Sequence, residues 1–240
     1  MGLAYHGRPV TTVFLVRHGL TALTSSTLLG WTPGVGLDDR GRAQATAVAT
    51  RLLPVPLEAV VSSPLERCRE TAEAIAAGRA PAPALELDDR LGDVRYGDWT
   101  GRPFKELNRL PAWRHIHADP SSFRFPNGEA LHEMGARSVA AVRDWNERLG
   151  PEATYALVSH ADPIRAILVD ALGLGFAAYL RLVVGPASIS VVRYGPGGAT
   201  VLRLNDAGGD PTDLIPANRR VRTSRSRSSG RRAGHPGQMS

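Results

Sequence analysis

The chain has few of the residues on which several common kinds of protein depend. Its 240 residues include one cysteine, Cys68, so the sequence predicts neither a disulfide framework nor a thiolate zinc site. No apolar run approaches the ~18 to 20 residues of a membrane-spanning helix, and residues 1–9 lack the apolar core of a secretory signal. These absences favour a protein of the reducing cytoplasm without a membrane segment.

Positive charge is concentrated near the C-terminal end of the chain. Residues 217–240 contain seven arginines and no acidic residue, and without them the formal net charge of +6 becomes about −1. Lys105 is the sole lysine beside 28 arginines, which favours coding bias over adaptation to nucleic acid. The segment's serine, glycine and arginine content predicts a disordered tail, with loose contact to polyanions as the alternative. No specific nucleic-acid partner is expected.

Strand and helix signals alternate along the chain. Short apolar runs rich in β-branched residues predict strands at 12–16, 58–62, 155–159, 188–194 and 199–204. The spacing of apolar residues predicts helices at 39–53, 64–77, 129–149 and 163–173. We therefore expect one α/β domain of three layers, with a mostly parallel mixed sheet and helices on both faces. Its predicted bounds are residues 11–216, between an N-terminal extension of residues 1–10 and the tail at 217–240.

The residues that begin the predicted helices, and one long excursion, carry further signals. Asp38 is the expected N-cap of the first helix, Ser63-Pro64-Leu65-Glu66 has the form of a capping box, and Asp162-Pro163 is the expected start of the last helix. Residues 92–128 are rich in glycine, proline and aromatics and show only short helical pieces. Because a long irregular excursion in a compact domain is usually functional, this segment is predicted to be a substrate lid.

Two of the predicted strands end next to histidines. Arg17-His18-Gly19 follows one apolar run, and Ser159-His160 follows another. Ligands of open α/β sheets bind beyond the carboxyl ends of the strands, so these side chains are expected to meet in one crevice. An arginine with two histidines suits an anionic substrate and a nitrogen nucleophile.

The same strings resemble the signatures of a known family. Leu15-Val16-Arg17-His18-Gly19-Leu20-Thr21 resembles the Arg-His-Gly motif of the histidine phosphatase superfamily, which includes the phosphoglycerate mutases. The resemblance covers residues 11 to 205. Further motifs occur in the order in which the family has them: Gly36 to Ala45, Ser62 to Arg67, Tyr96 to Gly101, Pro126 to Glu129 and Val158 to His160. The string Gly97-Asp98-Trp99-Thr100-Gly101 is similar to that of the phosphatases in particular.

The resemblance implies hydrolysis of a phosphate monoester through a phosphohistidine, with no metal and no other cofactor. The expected substrate is a small phosphorylated metabolite, and the protein is expected to be a monomer or a homodimer. A phosphoglycerate-type phosphomutase is the alternative. The paired arginines that such mutases use have only Arg114-His115 as their nearest match here, which favours the phosphatase. An inactive binding module on the same fold is a third candidate, which the presence of the motif residues disfavours.

The resemblance also gives roles to four residues. His18 would be the nucleophile that becomes phosphorylated, with its second ring nitrogen held by a backbone carbonyl of the turn that follows. Arg17 and Arg67 would bind the phosphoryl oxygens through their guanidinium groups. His160 would donate a hydrogen bond to the transferring group and, when protonated, add a third positive charge.

The proton donor is where this chain departs from the family pattern. The family usually has a glutamate where this chain has Asp93, four residues before Gly97. Aspartate is one methylene shorter, so the loop must approach the site more closely or the proton must come from another residue. Asp93 is the favoured donor and Glu129 the possible alternative. Asp98 and Asp162 are less favoured candidates.

Two threonines and several aromatic residues complete the predicted site. Thr24 occupies a place at which relatives often have an asparagine that binds phosphate, and Thr21 is a second candidate donor. Four aromatic residues are candidates for the mouth of the pocket, with core packing as an equal alternative: Trp31, Tyr96, Trp99 and Trp113. Cys68 is expected to be a buried packing residue.

Overall fold

The structure, a computed structural model, describes residues 9–209. Our predictions for residues 1–8 and 210–240, which include the arginine-rich tail, lie outside the described residues. The described residues up to Ala207 belong to one compact unit. Within residues 9–209, no helix combines the length and the apolar character that crossing a membrane requires.

A six-stranded sheet forms the central layer. Its strands are β1 (Thr11–Arg17), β2 (Ala59–Ser62), β3 (Ala84–Leu87), β4 (Thr154–Ser159), β5 (Ile189–Gly195) and β6 (Gly198–Asp206). They lie in the order β3-β2-β4-β1-β5-β6. The pairs β1–β4, β2–β4 and β2–β3 are parallel, whereas β1–β5 and β5–β6 are antiparallel. The predicted mixed, mostly parallel sheet is therefore confirmed.

The edge strand β3 carries no signal that the sequence alone could reveal. It has four residues, Ala-Leu-Glu-Leu, with neither a buried apolar run nor a buried face. Leu85 and Leu87 are 41% and 53% exposed. Its conformation depends on parallel pairing with β2, a contact that local sequence does not encode.

Helices cover both faces of the sheet. They are α1 (Asp39–Leu52), α2 (Glu66–Ala76), α3 (Phe104–Leu107), α4 (Pro111–Ala118), α5 (Leu131–Leu149) and α6 (Ala161–Ala171). Val48 of α1 and Ile75 of α2 pack with strand residues on one face. Trp145 of α5 and Ile164 of α6 do so on the other face. The three-layer architecture expected from the alternating signals is thereby confirmed.

The first turns of the helices agree with the sequence prediction in one case and differ in another. Asp38 caps α1, since its carboxylate accepts the amide hydrogen of Gly41 at 2.7 Å. The predicted capping box of α2 is wrong, because the helix begins at Glu66 after a residue with no side-chain cap. The hydroxyl of Ser63 instead contacts Nε2 of His160 at 2.9 Å.

The helix α6 begins two residues before its predicted start at residue 163. Its first residue is Ala161, so Asp162 lies in the first turn and does not cap the helix. The carboxylate of Asp162 accepts hydrogen bonds from the Tyr96 hydroxyl at 2.8 Å and from Nη1 of Arg165 at 2.9 Å. These side-chain partners explain why Asp162 is not available as a cap.

Candidate active site

The candidate site lies at the carboxyl ends of the parallel strands β1 and β4. Arg17 pairs with Ser159 in the sheet, and the amide of His18 donates to the Ser159 carbonyl at 3.0 Å. The residues that follow β1 and β4 therefore lie side by side at one edge of the sheet. The rings of His18 and His160 meet edge to face, with their centres 5.1 Å apart. The structure thus brings together the two histidines that the sequence analysis singled out.

The turn after β1 is fixed by two glycines that touch each other. A β-carbon at Gly19 would lie 2.5 Å from the Gly41 carbonyl oxygen, and one at Gly41 would lie 1.9 Å from the carbonyl oxygen of Leu20. No side chain fits at either position, since both neighbours are backbone atoms. This close contact between the turn and α1 determines where the His18 ring can lie.

One ring nitrogen of His18 makes a hydrogen bond, and the other has no hydrogen-bond partner among residues 9–209. Nδ1 lies 2.7 Å from the Gly19 carbonyl oxygen, as predicted for the turn after the strand. A carbonyl only accepts, so Nδ1 carries the hydrogen and Nε2 keeps its lone pair. Burial, reinforced by Arg17 and Arg67, lowers the pKa of His18 well below its usual value. The lowered pKa favours a neutral imidazole whose Nε2 keeps a lone pair.

Arg67 is buried at the start of α2 although it carries a charge. Its Nη2 donates to the Gly30 carbonyl at 2.8 Å and lies 3.3 Å from Oδ2 of Asp93. Its Nε and Nη1 are also buried but have no hydrogen-bond partner among residues 9–209. Buried donors of this kind require an acceptor, and a phosphate group matches the guanidinium in charge and geometry.

The groups described so far line one pocket, and Arg17 and Thr24 line it together with His18, Arg67 and His160. Nη1 of Arg17 donates to the Val184 carbonyl at 2.7 Å, while its buried Nε has no partner within the described part of the chain. The hydroxyl of Thr24 accepts the amide hydrogen of Thr21 at 2.9 Å, and the two hydroxyls are 3.0 Å apart. Through these contacts Thr21 orients the Thr24 side chain, and Thr21 itself does not line the pocket.

The surroundings of His160 favour its neutral form. Nη2 of Arg67 donates to its Nδ1 at 3.2 Å, so Nε2 carries the hydrogen and donates to Ser63 at 2.9 Å. Sγ of Cys68 lies 3.3 Å from the same Nε2. Burial, then Arg67 and His18, lowers the pKa of His160 well below its usual value. Cys68 is buried as predicted, and burial raises the pKa of its thiol to about 12.

The carboxyl group of Asp93 reaches the centre of the site despite its short side chain. Its Oδ2 lies 3.3 Å from Nη2 of Arg67 and 3.8 Å from Nδ1 of His160, and its Oδ1 accepts the amide hydrogen of Val94. Burial raises the pKa of Asp93 to about 6, against the opposing effect of Arg67. A carboxyl group with this pKa keeps its proton at mildly acidic pH, which a general acid requires.

With this geometry established, comparison with known proteins decides the family. The model of the histidine phosphatase superfamily (branch 1) matches residues 13–207. The chain belongs to the histidine phosphatase superfamily.

Relatives and structural neighbours agree with this assignment. The "Bifunctional protein Rv2228c" of Mycobacterium tuberculosis is 34% identical over 199 residues, which are 81% of this chain and 53% of that protein. This chain therefore spans about half the length of that relative. "Phosphoserine phosphatase 1" of Hydrogenobacter thermophilus is 30% identical over 178 residues, 70% of this chain and 80% of its own length. The structure of YhfR from Bacillus stearothermophilus superimposes with a TM-score of 0.76 at 25% identity, covering 82% of this chain and 97% of YhfR.

Within this histidine phosphatase fold, the alternative donor Glu129 lies away from the pocket lining. Its two carboxylate oxygens accept hydrogen bonds from Nη2 and Nε of Arg137 at 2.7 and 3.1 Å. One of them also accepts the amide hydrogen of Arg95 at 2.7 Å. Glu129 therefore holds a neighbouring arginine in place and does not line the pocket that contains His18.

Arg137 is a residue of the site region that carries no recognisable signal in the sequence. Besides Glu129, it donates to the backbone carbonyls of Arg90, Gly92 and Asp93 at 2.7 to 2.8 Å. These bonds hold the loop so that the short side chain of Asp93 reaches the site. Only the fold brings α5 and this loop together, so the spacing of residues gives no indication of the contact.

Of the two remaining carboxylates, only Asp162 lines the pocket. Its oxygens are already bonded to Tyr96 and Arg165. Asp98 binds the Asn127 side chain at 3.1 Å and lies outside the lining. Neither residue is placed as Asp93 is, next to both Arg67 and His160.

The aromatic candidates divide between the pocket and the packed interior. Tyr96 and Trp113 line the pocket. Trp99 packs in an aromatic cluster, and Trp31 donates from Nε1 to the Asp93 carbonyl at 2.6 Å. Among residues 9–209, no group of three or more histidine, cysteine or carboxylate side chains is placed to hold a metal ion. The group that the pocket is equipped to bind is an anion.

Proposed function

We propose that this protein hydrolyses phosphate monoesters through a phosphohistidine formed at His18. The observation that carries the proposal is the free Nε2 of a neutral His18 beside Arg67, whose buried donors lack a partner among the described residues. A nucleophile and an anion-binding guanidinium at one strand end are the two groups that in-line phosphoryl transfer needs first.

In the first half of the reaction, Nε2 of His18 forms a bond to phosphorus as the bond to the alcohol oxygen breaks. The carboxyl group of Asp93 gives its proton to the departing oxygen, so the product leaves as a neutral alcohol. In the second half, the Asp93 carboxylate takes a proton from water, whose oxygen attacks the phosphohistidine. Inorganic phosphate leaves, and His18 and Asp93 return to their starting states.

The arginines stabilise the negative charge that the phosphoryl group carries throughout. Arg17 and Arg67 would bind two of its oxygens, and the Thr24 hydroxyl would donate to one of them. A dianion at this position favours the protonated form of His160, which would then donate from Nδ1. His160 is thus proposed to become charged only when the substrate is bound.

Loss of Arg67 tests whether its charge acts on the reaction. We expect Arg67→Ala to lower kcat/KM by ~10²- to 10³-fold, the range for removal of one preorganised donor from a developing charge. Arg69→Ala is the matched control, since Arg69 is exposed on the same helix and should leave kcat/KM within about twofold. An Arg67→Ala enzyme that resembles the control would remove Arg67 from the mechanism.

The pH dependence follows from the pKa shifts of His18 and Asp93. The reaction needs neutral His18, whose pKa is lowered, and protonated Asp93, whose pKa is raised to about 6. For an alkyl phosphate, kcat/KM should be highest below about pH 6 and then fall by about tenfold per pH unit. An activated aryl phosphate has little need for the acid, so the alkyl-to-aryl ratio of kcat/KM, corrected for the phosphate ionisation of each ester, isolates Asp93. A ratio that stays constant from pH 5 to 8 would contradict this role.

Metal removal tests whether arginines supply the positive charge. We expect prolonged treatment with EDTA to leave the rate of phosphate release unchanged. Vanadate should inhibit, because it adopts the trigonal bipyramidal geometry of a phosphoryl group in transfer. Loss of activity in EDTA that a divalent ion restores would contradict the proposal. Formation of an isomeric phosphate ester in place of free phosphate would identify the phosphomutase alternative.

A further inference from the structure

The pocket has two chemically different parts. Its floor holds His18, Arg17 and the other polar groups described above, and its volume is about 430 Å³ in all. The wall above this floor is mostly apolar, although Ser25 and Thr27 also contribute to it. It comes mainly from the turn after β1 and the excursion that contains α3 and α4. Among its residues are Leu28, Phe104, Trp113, Ile116, Phe125 and Leu180.

The arginines that line the pocket supply enough positive charge for one phosphate group. The cations Arg17, Arg67 and Arg165 face the anions Asp93 and Asp162. Nη1 of Arg165 is 2.9 Å from Oδ1 of Asp162, so this pair largely cancels. With Asp93 protonated, the arginines leave two uncompensated positive charges, which match a phosphate dianion. The charge proposed for His160 would form only against that same phosphate group. A second anionic group on the substrate would find no uncompensated arginine in this lining.

Besides the charged groups and the two histidines of the floor, the titratable side chains of the lining are Tyr96, Tyr179 and His117, and of these only His117 is exposed. It is exposed on α4, and its ring lies against Trp113, with the ring centres 6.0 Å apart. Trp113 is half-buried and also contacts Phe104, at 5.9 Å between ring centres. The wall therefore presents aromatic and aliphatic surface to whatever is attached to the phosphate.

We propose that the alcohol part of the substrate is apolar, contains a ring, and carries no second negative charge. This inference rests on the proposed phosphatase function and specifies its substrate class. A ring placed against Trp113 and Phe104 would bury apolar area on both sides, and burial of apolar area favours binding in proportion to that area. A carboxylate in the same position would lose its hydration and gain no cation.

Two esters with primary alcohol leaving groups test this inference. One is 3-phenylpropyl phosphate, and the other is the phosphate ester of 4-hydroxybutanoate, which carries a carboxylate in place of the ring. Since both leave as unactivated alkoxides, a difference in kcat/KM reports on the wall. We expect 3-phenylpropyl phosphate to be preferred by ~10-fold or more, the scale for burying an aromatic side chain. Phosphoserine should be a poor substrate for the same reason.

Substitution of Trp113 locates the preference in the wall. Trp113→Ala should reduce the ratio of the two kcat/KM values by ~10-fold, and Trp113→Phe should retain most of it. Arg114→Ala is the matched control, because Arg114 is exposed on the same helix outside the pocket lining, and the ratio should not change. If Trp113→Phe retains the ratio, the lower ratio in Trp113→Ala comes from the missing ring and not from misfolding of α4.

The outcomes separate the two proposals. Hydrolysis of both esters at equal kcat/KM, or a preference for the carboxylate ester, would overturn the inference about the wall while leaving the phosphatase function intact. Hydrolysis of neither ester, together with no release of phosphate from an activated aryl phosphate, would overturn the proposed function itself. A preference that Trp113→Ala leaves unchanged would also overturn the inference.

Discussion

His18→Ala is expected to lower kcat/KM by ~10⁴-fold or more for every phosphate ester, the scale on which enzymes lose activity with their nucleophile. The neighbouring His160 is not expected to replace Nε2 of His18, because its Nδ1 accepts a hydrogen bond from Arg67 and its Nε2 contacts Ser63. The loss should be equal for alkyl and aryl esters, since both need the nucleophile. Steady-state kinetics with 3-phenylpropyl phosphate and an aryl phosphate measure it.

Substitution of a second, exposed histidine shows whether the loss of activity is specific to His18. His132→Ala changes an exposed histidine of α5 that lies outside the pocket lining, and its activity should remain within about twofold of the wild type. The melting temperature of His18→Ala should stay close to that of the wild type. If folded His18→Ala retained a tenth of the wild-type rate, another nucleophile would carry the reaction.

Asp93→Asn is expected to reduce hydrolysis of alkyl phosphates by ~10²- to 10⁴-fold, the usual contribution of a general acid. An alkoxide is a poor leaving group and needs the proton, whereas the phenolate of an activated aryl phosphate leaves with little help. The aryl ester should therefore lose far less activity than the alkyl ester. Measurement of kcat/KM for both esters on one protein preparation gives the ratio directly.

Two further variants distinguish Asp93 from its alternatives. Asp93→Glu should retain alkyl phosphate hydrolysis, because glutamate is the residue that the family usually has there. Glu129→Gln should not show leaving-group dependence, since Glu129 binds Arg137 and lies away from the pocket lining. Equal losses for both esters in Asp93→Asn would make Asp93 a structural residue. Leaving-group dependence in Glu129→Gln would identify Glu129 as the donor.

Much of the fold could be predicted from sequence because its elements carry strong local patterns. The strands β1 and β4 are apolar runs that end on polar residues, and the predicted bounds differ from those observed by one residue or less. The helix α1 has both an apolar face and a capping aspartate. The meeting of His18 and His160 follows from the parallel sheet, since the carboxyl ends of neighbouring parallel strands lie on one edge.

The features that were missed depend on contacts between distant parts of the chain. Ser63 has the local sequence of a helix cap, but its hydroxyl instead contacts a histidine 97 residues away. The interaction of Arg137 with three backbone carbonyls, 44 to 47 residues away, leaves no pattern in the sequence. The lowered pKa of His160 arises from burial beside Arg67, which spacing alone does not reveal. Local patterns thus singled out residues that meet in one pocket, whereas the shifts of their pKa values depend on the fold.

The central claim is that the phosphoryl group passes through Nε2 of His18. Rapid mixing of the wild-type enzyme with a labelled phosphate ester, followed by denaturation in base, should trap a label that is stable to base and released by acid. Peptide mapping by mass spectrometry is expected to place the phosphate on the peptide that contains His18 and to find none in His18→Ala. A label on another residue, or a labelled His18→Ala protein, would contradict the account.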